Sequence, residues 1–168
     1  MTTTTGTQTA LFSIPDQITT TGYRGKHVCQ ITGVSYRQLD YWTRSELISA
    51  SITPADGYGS QRLYSFRDML EVKIIHNLLS VGLSLQKIRT AIAQLHTLGV
   101  DELTGLTLFS DGTTVYYCTT TDEITDLLAG GQGVFGIAIP GLMTQLTGTV
   151  TELKTTSSVK TNANEHAA

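Results

Sequence analysis

Cysteine is scarce in this 168-residue chain: Cys29 and Cys118 are the only two. Two thiols make no disulfide framework and no cysteine-rich zinc site. Cys29 reads as a structural thiol on the inner side of a short helix. His27, His76 and His96 stand apart, without the spacing that metal ligands need, so no metal is expected. Long apolar runs are also missing. No stretch of eighteen apolar residues exists, which excludes a membrane-spanning helix read from sequence. Met1 to Thr21 has neither the basic start nor the apolar centre of a secretory signal, so a cytoplasmic location is expected. No serine, histidine and acid fall into a nucleophile motif, which argues against an enzyme. Gly130-Gly131-Gln132-Gly133 follows a predicted helix and precedes a predicted strand. That order is the reverse of a phosphate-cradling loop, and a helix C-cap is the better reading. No cofactor is expected.

Charge is low overall and unevenly placed. The net charge of −3 taken alone speaks weakly against a nucleic-acid partner. Residues 22–98, however, hold nine Lys/Arg against five Asp/Glu, whereas residues 99–168 hold two against eight. The first region can present a basic surface, and the second is left to protein contacts or solubility.

The most informative stretch is residues 26–45, KHVCQITGVSYRQLDYWTRS. Val28, Cys29 and Ile31 give a first short helix a small apolar side. Gly33 supplies the left-handed residue of a tight turn, and Val34 packs into the angle. Ser35 with Gln38 three residues on forms a capping box, in which each side chain satisfies a backbone donor of the helix start. Leu39 and Trp42 are the inward residues of this second helix, 35–45, which Leu47 and Ile48 close. Tyr36, Arg37, Asp40, Tyr41 and Arg44 remain for the outside. This is a helix-turn-helix, the unit that lays one helix in the DNA major groove; an ordinary αα-hairpin is the bland alternative.

The following segment favours the DNA reading. Ser49–Ile52 can form a short strand, residues 53–60 are loop by composition, and Gln61–Tyr64 can return as a second strand. Such a wing carries Arg62 toward a DNA backbone. Ser65 and Asp68 form a second capping box, opening a helix over Phe66–Val81 with Met69, Leu70, Ile74, Ile75, Leu78 and Leu79 on its apolar side. Gly82 ends it. Ser84 caps a further helix to residue 98, with Leu85, Ile88, Ile92 and Leu95 in one stripe.

In this order Gly33-Val34-Ser35, Leu39-Asp40-Tyr41-Trp42, Arg62-x-Tyr64, Tyr64-Ser65-x-x-Asp68 and Gly82-x-Ser84-Leu85-x-x-Ile88 resemble the MerR family of transcriptional regulators, in an actinobacterial-type subgroup. The resemblance covers about residues 24–98. It implies a bacterial, nucleoid-associated homodimer that binds near-palindromic promoter DNA through a winged helix-turn-helix, with RNA polymerase a candidate partner. Carried over by position, the implied DNA contacts are Ser35, Tyr36, Arg37, Tyr41 and Arg62, and Arg24, Lys26 and Tyr64 complete the candidate set. Two departures stand out. The family usually has Arg where this chain has Asp40, which is expected to pair with Arg37 or Arg44 or to accept from a cytosine amino group. Ser60-Gln61 replaces the usual Gly-Tyr before the wing arginine. Metal-sensing relatives place paired cysteines near the dimer helix, and this chain has none there.

The fold class expected is mainly α with small β: a winged helix-turn-helix domain, 22–98, and a small α+β module, 99–154. Residues 1–21 read as a disordered Thr-rich arm and 155–168 as a frayed tail. Within 100–154 the expected order is β-β-α-β-α. Asp111-Gly112 is a two-residue hairpin loop that would set Leu108 opposite Val115 and Leu106 opposite Tyr117. Thr120 or Thr121 caps a short helix, Val134–Ile139 is a buried strand, and Pro140 opens a last helix with Leu142, Leu146, Val150 and Leu153. The module is expected to dimerise the protein or to hold an effector that the sequence does not name, and a fragment ending near Gly99 is expected to be folded and monomeric. Two other classes remain open at this point: an excisionase-like architectural DNA-binder, and a ligand sensor acting through residues 100–154.

Overall fold

The computed structural model describes residues 15–54, 61–131 and 133–165. The expectations for the arm up to residue 14, the wing loop 55–60, Gln132 and the last three residues lie outside them.

Before the first expected helix the chain is already tied down. A one-turn helix, α1 (Asp16–Thr19), buries Ile18. The buried Tyr23 hydroxyl donates to the Ile18 carbonyl at 3.0 Å. Residues 16–21, expected as disordered arm, are therefore held at Ile18 by one apolar anchor and one buried hydrogen bond.

The strand β1 (Tyr23–Arg24) leads directly into α2 (Gly25–Thr32). Gly33 takes φ 83° and its N–H closes the helix on the Cys29 carbonyl at 2.9 Å. Then α3 (Tyr36–Arg44) starts on the expected capping box: Ser35 Oγ accepts from Gln38 N at 3.2 Å, and Gln38 Oε1 accepts from Ser35 N at 3.0 Å. This helix ends at Arg44 with Ser45 as its C-cap, in keeping with the expected bounds of 35–45. Glu46 takes a left-handed φ of 60°, and the N–H groups of Leu47 and Ile48 turn back to the Trp42 carbonyl. Leu47 and Ile48 are thereby buried beside Leu39 and Trp42 instead of extending the helix.

The expected two-stranded ribbon differs in detail. β2 (Leu63–Tyr64) pairs antiparallel with β1, Tyr23 opposite Tyr64 and Arg24 opposite Leu63. The expected strand 49–52 contributes only an isolated bridge, Thr53 to Leu63. Ser51 is diverted from any ladder, because its N–H and hydroxyl both donate to the Asp68 carboxylate at 2.8 and 2.7 Å. The same carboxylate oxygen accepts from Ser65 N at 2.8 Å, so the second capping box also anchors this segment.

That box opens α4 (Phe66–Ser80), followed by α5 (Leu85–Leu95) on its Ser84 cap. The sequence suggests one apolar side for α4, yet Phe66 and Val72 are buried as well. α4 is packed from several sides, by α1, α2, α5, β2 and the last helix of the chain. After a short α6 (Val100–Leu103), β3 (Thr107–Ser110), β4 (Val115–Cys118), α7 (Thr121–Ala129) and β5 (Phe135–Ala138) lead into α8 (Ile139–Glu165). α8 returns against α2 and α4, and Leu142, Met143, Leu146 and Val150 enter the same core as Val28, Leu39 and Ile75. Residues 99–154, expected as a unit of their own, share that core. Burying each Leu or Ile there contributes about 1.5–3 kcal/mol.

The sheet order is β4-β3-β5, all antiparallel. Its hairpin register differs by two residues from the sequence expectation: Leu108 faces Tyr117, and Ser110 faces Val115. The loop holds four residues because the Asp111 carboxylate accepts from both Thr113 N and Thr114 N at 2.7 Å, closing a wider turn. Gly136 answers a close approach, since a Cβ there would lie 2.9 Å from the Phe109 ring. In α8 the Thr hydroxyls donate to carbonyls one turn back, as Thr144 does to Pro140 and Thr147 to Met143, so a Thr-rich segment stays helical with its hydroxyls satisfied. The helix continues past Lys154 to Glu165, where a frayed tail is expected from sequence.

Candidate nucleic-acid interface

The two helices α2 and α3 bring one polar face together. Their N-terminal ends meet where Gly25 lies under Tyr36: a Cβ at Gly25 would approach the Tyr36 ring to 3.3 Å. Sequence reasoning passes over Gly25, although its place at a strand-to-helix junction is a visible signal. Around this contact Arg24, Lys26, Ser35, Tyr36 and Arg37 are on the surface, with Tyr41 one turn further along α3. Tyr36 is 65 % exposed and Tyr41 53 %, high values for large aromatic side chains. Beneath them Leu39 and Trp42 are buried, so the inner and outer faces of α3 divide as the sequence indicates.

Tyr64 does not join that surface. It is 1 % exposed, and its hydroxyl lies 2.9 Å from Thr43 Oγ1. Thr43 already donates to the Leu39 carbonyl at 2.8 Å, so Tyr64 is the donor between them. Burial pushes its phenol pKa up. Tyr64 is removed from the candidate contacts; it fixes β2 to the inner side of α3.

Arg62 is at the base of the expected wing, and its Nη1 bonds Asp40 Oδ1 at 2.7 Å. Asp40 Oδ2 meets Arg44 Nε at 2.9 Å. Asp40 thus bridges two arginines, one on its own helix and one on β2's approach. Of the two arginines expected from sequence as its partner, Arg44 is found and Arg37 is not. The Arg62 hydrogen bond, then the Arg44 charge, holds the Asp40 carboxyl below the usual range.

Counting charges overstates the cationic surface. Lys73 Nζ donates to the Thr32 carbonyl at 3.1 Å and closes the end of α2. Arg89 Nη1 donates to the Ser45 carbonyl at 2.7 Å, beyond the end of α3. Arg67 Nη2 donates to the Leu95 and Leu98 carbonyls at 2.8 and 3.1 Å, at the end of α5. Each uses a cation where a helix dipole is negative. Arg24, Lys26, Arg37 and Lys87 carry no ion pair with another described residue, and the first three belong to the α2–α3 face.

Behind this face α4 couples the parts. Glu71 is buried, with Oε2 2.9 Å from His96 Nε2 and Oε1 3.5 Å from Arg67 Nε. Burial, outweighing both partners, pushes the Glu71 pKa up. His96, an isolated residue in the sequence, thus acquires a partner 25 positions away. A cleft of about 420 Å³ lies nearby, lined by Thr43, Glu46, Ile48, Ser49, Ala50, Pro54, Arg62 and His96. Cys29 is half-buried rather than fully enclosed, and burial raises its thiol pKa. Among the described residues no helix is long and apolar enough to cross a membrane.

Known proteins match the chain over this region. A family model described as "MerR HTH family regulatory protein" matches residues 23–95, the span from β1 to the end of α5. The chain is similar to uncharacterized HTH-type transcriptional regulators of Mycobacterium bovis and of two strains of Mycobacterium tuberculosis. In each case 140 residues align at 56 % identity, covering 83 % of this chain. The chain spans 61 % of the length of those relatives.

Proposed function

We propose that this chain, whose residues 23–95 match the MerR helix-turn-helix family model, is a DNA-binding regulator of transcription that binds near-palindromic promoter DNA as a homodimer with α3 in the major groove. The observation that carries this is the outer face of α3. Tyr36, Arg37 and Tyr41 are exposed over a fully packed inner face, and Arg37 is committed to no other ion pair among the described residues. A guanidinium there suits guanine O6 and N7, and exposed tyrosines suit phosphates and sugar edges. Arg24 and Lys26 flank the start of α2, which has no side-chain cap, so its first N–H groups add to the attraction for a phosphate.

Homodimerisation is assigned to the C-terminal sheet and α7. No residue of α7 is buried, and Leu128 and Phe135 are 49 % and 38 % exposed. One head makes few phosphate contacts; two joined heads raise the effective concentration of the second.

The experiment is recovery of duplexes from a randomised pool by the purified full chain, followed by sequencing. An enriched motif with two inverted half-sites about one helical turn apart supports the reading. Recovery without enrichment would reduce it to sequence-independent binding of the architectural kind.

A further inference from the structure

The Asp40 bridge has a role that the DNA-binding reading does not require. An acid in the middle of a surface meant for a polyanion is unfavourable unless it acts on its neighbours. Asp40 lies on α3 between Arg37 and Arg44, with its side chain partly exposed, and touches both Arg44 at 2.9 Å and Arg62 at 2.7 Å. Arg62 comes from the strand side, 22 residues away in sequence, so this contact spans two elements. Resting on the DNA-binding reading, we propose that Asp40 is a specificity-determining positioning residue: an internal counter-ion that keeps Arg62 and Arg44 from DNA phosphates until the recognition helix is seated.

The physical argument is competition. A phosphate approaching Arg62 or Arg44 has to displace a carboxylate already in charge-assisted contact. Loose, sequence-independent encounters offer little in exchange, because they consist of phosphate contacts alone. A seated α3 adds base contacts through Arg37 and its neighbours, and these compensate for opening the bridge. The bridge therefore penalises non-specific binding more than specific binding. It also orients the two arginines, so the wing base and α3 approach DNA as one piece.

The test compares full-length wild type, Asp40→Asn and Asp40→Glu on two duplexes, the pool-selected site and a scrambled sequence, across salt. Asp40→Asn keeps the shape and removes the charge. It is expected to tighten the scrambled duplex about tenfold at low salt, and to steepen its salt dependence by about one to two units, one per released arginine. Affinity for the selected site should change less, so the ratio between the two falls. Asp40→Glu should stay near wild type. In the Asp40→Asn background, Arg62→Ala should remove about one unit of the added slope, which a merely structural effect would not do. Equal thermal melting of the variants establishes that they are folded; if Asp40→Asn melts early, Arg44→Gln with Arg62→Gln reports the same two contacts from the other side. An unchanged slope and unchanged ratio in Asp40→Asn, with wild type binding its site, would overturn the role of Asp40 and leave the DNA-binding reading standing. No binding by wild type to either duplex would overturn both.

Discussion

The two ends of this chain solve burial differently. Among the described residues from Tyr23 to Leu95 most apolar side chains are enclosed, and the large hydrophobics left outside are Ile52 and the aromatic Tyr36 and Tyr41 on α3. Among the described residues from Thr107 to Ala138 the sheet buries Leu108 and Ile137, but α7 has no fully buried residue, its Ile124 and Leu127 being half-covered, and Leu128 and Phe135 remain exposed. The first region has its stability supplied within the chain and offers hydrogen-bonding rings and cations, the surface a polyanion needs. The second offers apolar side chains, the surface another protein needs. α8 joins the two, because it springs from β5 and packs on α2 and α4.

That link makes the largest effect a truncation. A chain ending at Gly99 loses Leu142, Met143, Leu146 and Val150 from the core. Those four side chains represent about 6–12 kcal/mol of burial, comparable to a whole domain's stability. The fragment is expected to melt at low temperature or not to fold, in contrast to the folded monomer that the sequence alone suggests. Circular dichroism on heating checks this. A fragment as stable as the full chain would restore the picture of two independent units.

Next in size is Trp42→Ala, expected to cost about 3–5 kcal/mol because the indole is enclosed on the inner face of α3. Denaturant titration measures it, and a variant as stable as the parent would mean that the two faces of α3 have been exchanged. A charge on the other region should behave in the opposite way. Leu128→Asp is expected to change stability by no more than about 0.5 kcal/mol, since it disturbs no buried contact, yet to shift a homodimer toward monomer in light scattering. An unchanged dimer would move the interface elsewhere.

The smallest expected effect concerns pH. Burial raises the Glu71 pKa, so the folded state binds that proton more tightly than the unfolded chain does. The stability this provides is complete below the usual glutamate range and declines as pH rises through the raised value. Glu71→Gln should remove that decline, seen as a difference between variant and parent in melting temperature across mildly acidic pH.

How much of this was legible in the sequence differs between the regions for a physical reason. Local chemistry is readable: the capping boxes at Ser35 and Ser65 and the Gly33 turn depend on residues within four positions of each other. Contacts that close over distance are not. Nothing local announces that Arg62 reaches Asp40, that Arg89 reaches the Ser45 carbonyl, or that Tyr64 turns inward to Thr43. The hairpin register failed for an intermediate reason. Asp111-Gly112 marks the turn correctly, but the Asp111 carboxylate captures two further N–H groups and widens the loop. The candidate contacts are read from the MerR-like motifs, whereas the burial of Tyr64 and the charge balance around Asp40 needed coordinates. Nine basic residues in residues 22–98 look like a broad cationic patch, yet several are helix caps or ion-pair partners.

The most direct measurement is the affinity of full-length wild type and Arg37→Ala for the pool-selected duplex and for single-base variants of it, titrated across salt. The account expects wild type to discriminate, and Arg37→Ala to lose about 1–3 kcal/mol on the selected duplex. Preference should relax at one base pair in each half-site while the fold is unchanged. Equal binding of all duplexes by wild type, or an Arg37→Ala variant that discriminates as wild type does, would contradict the assignment of α3 as the reading helix.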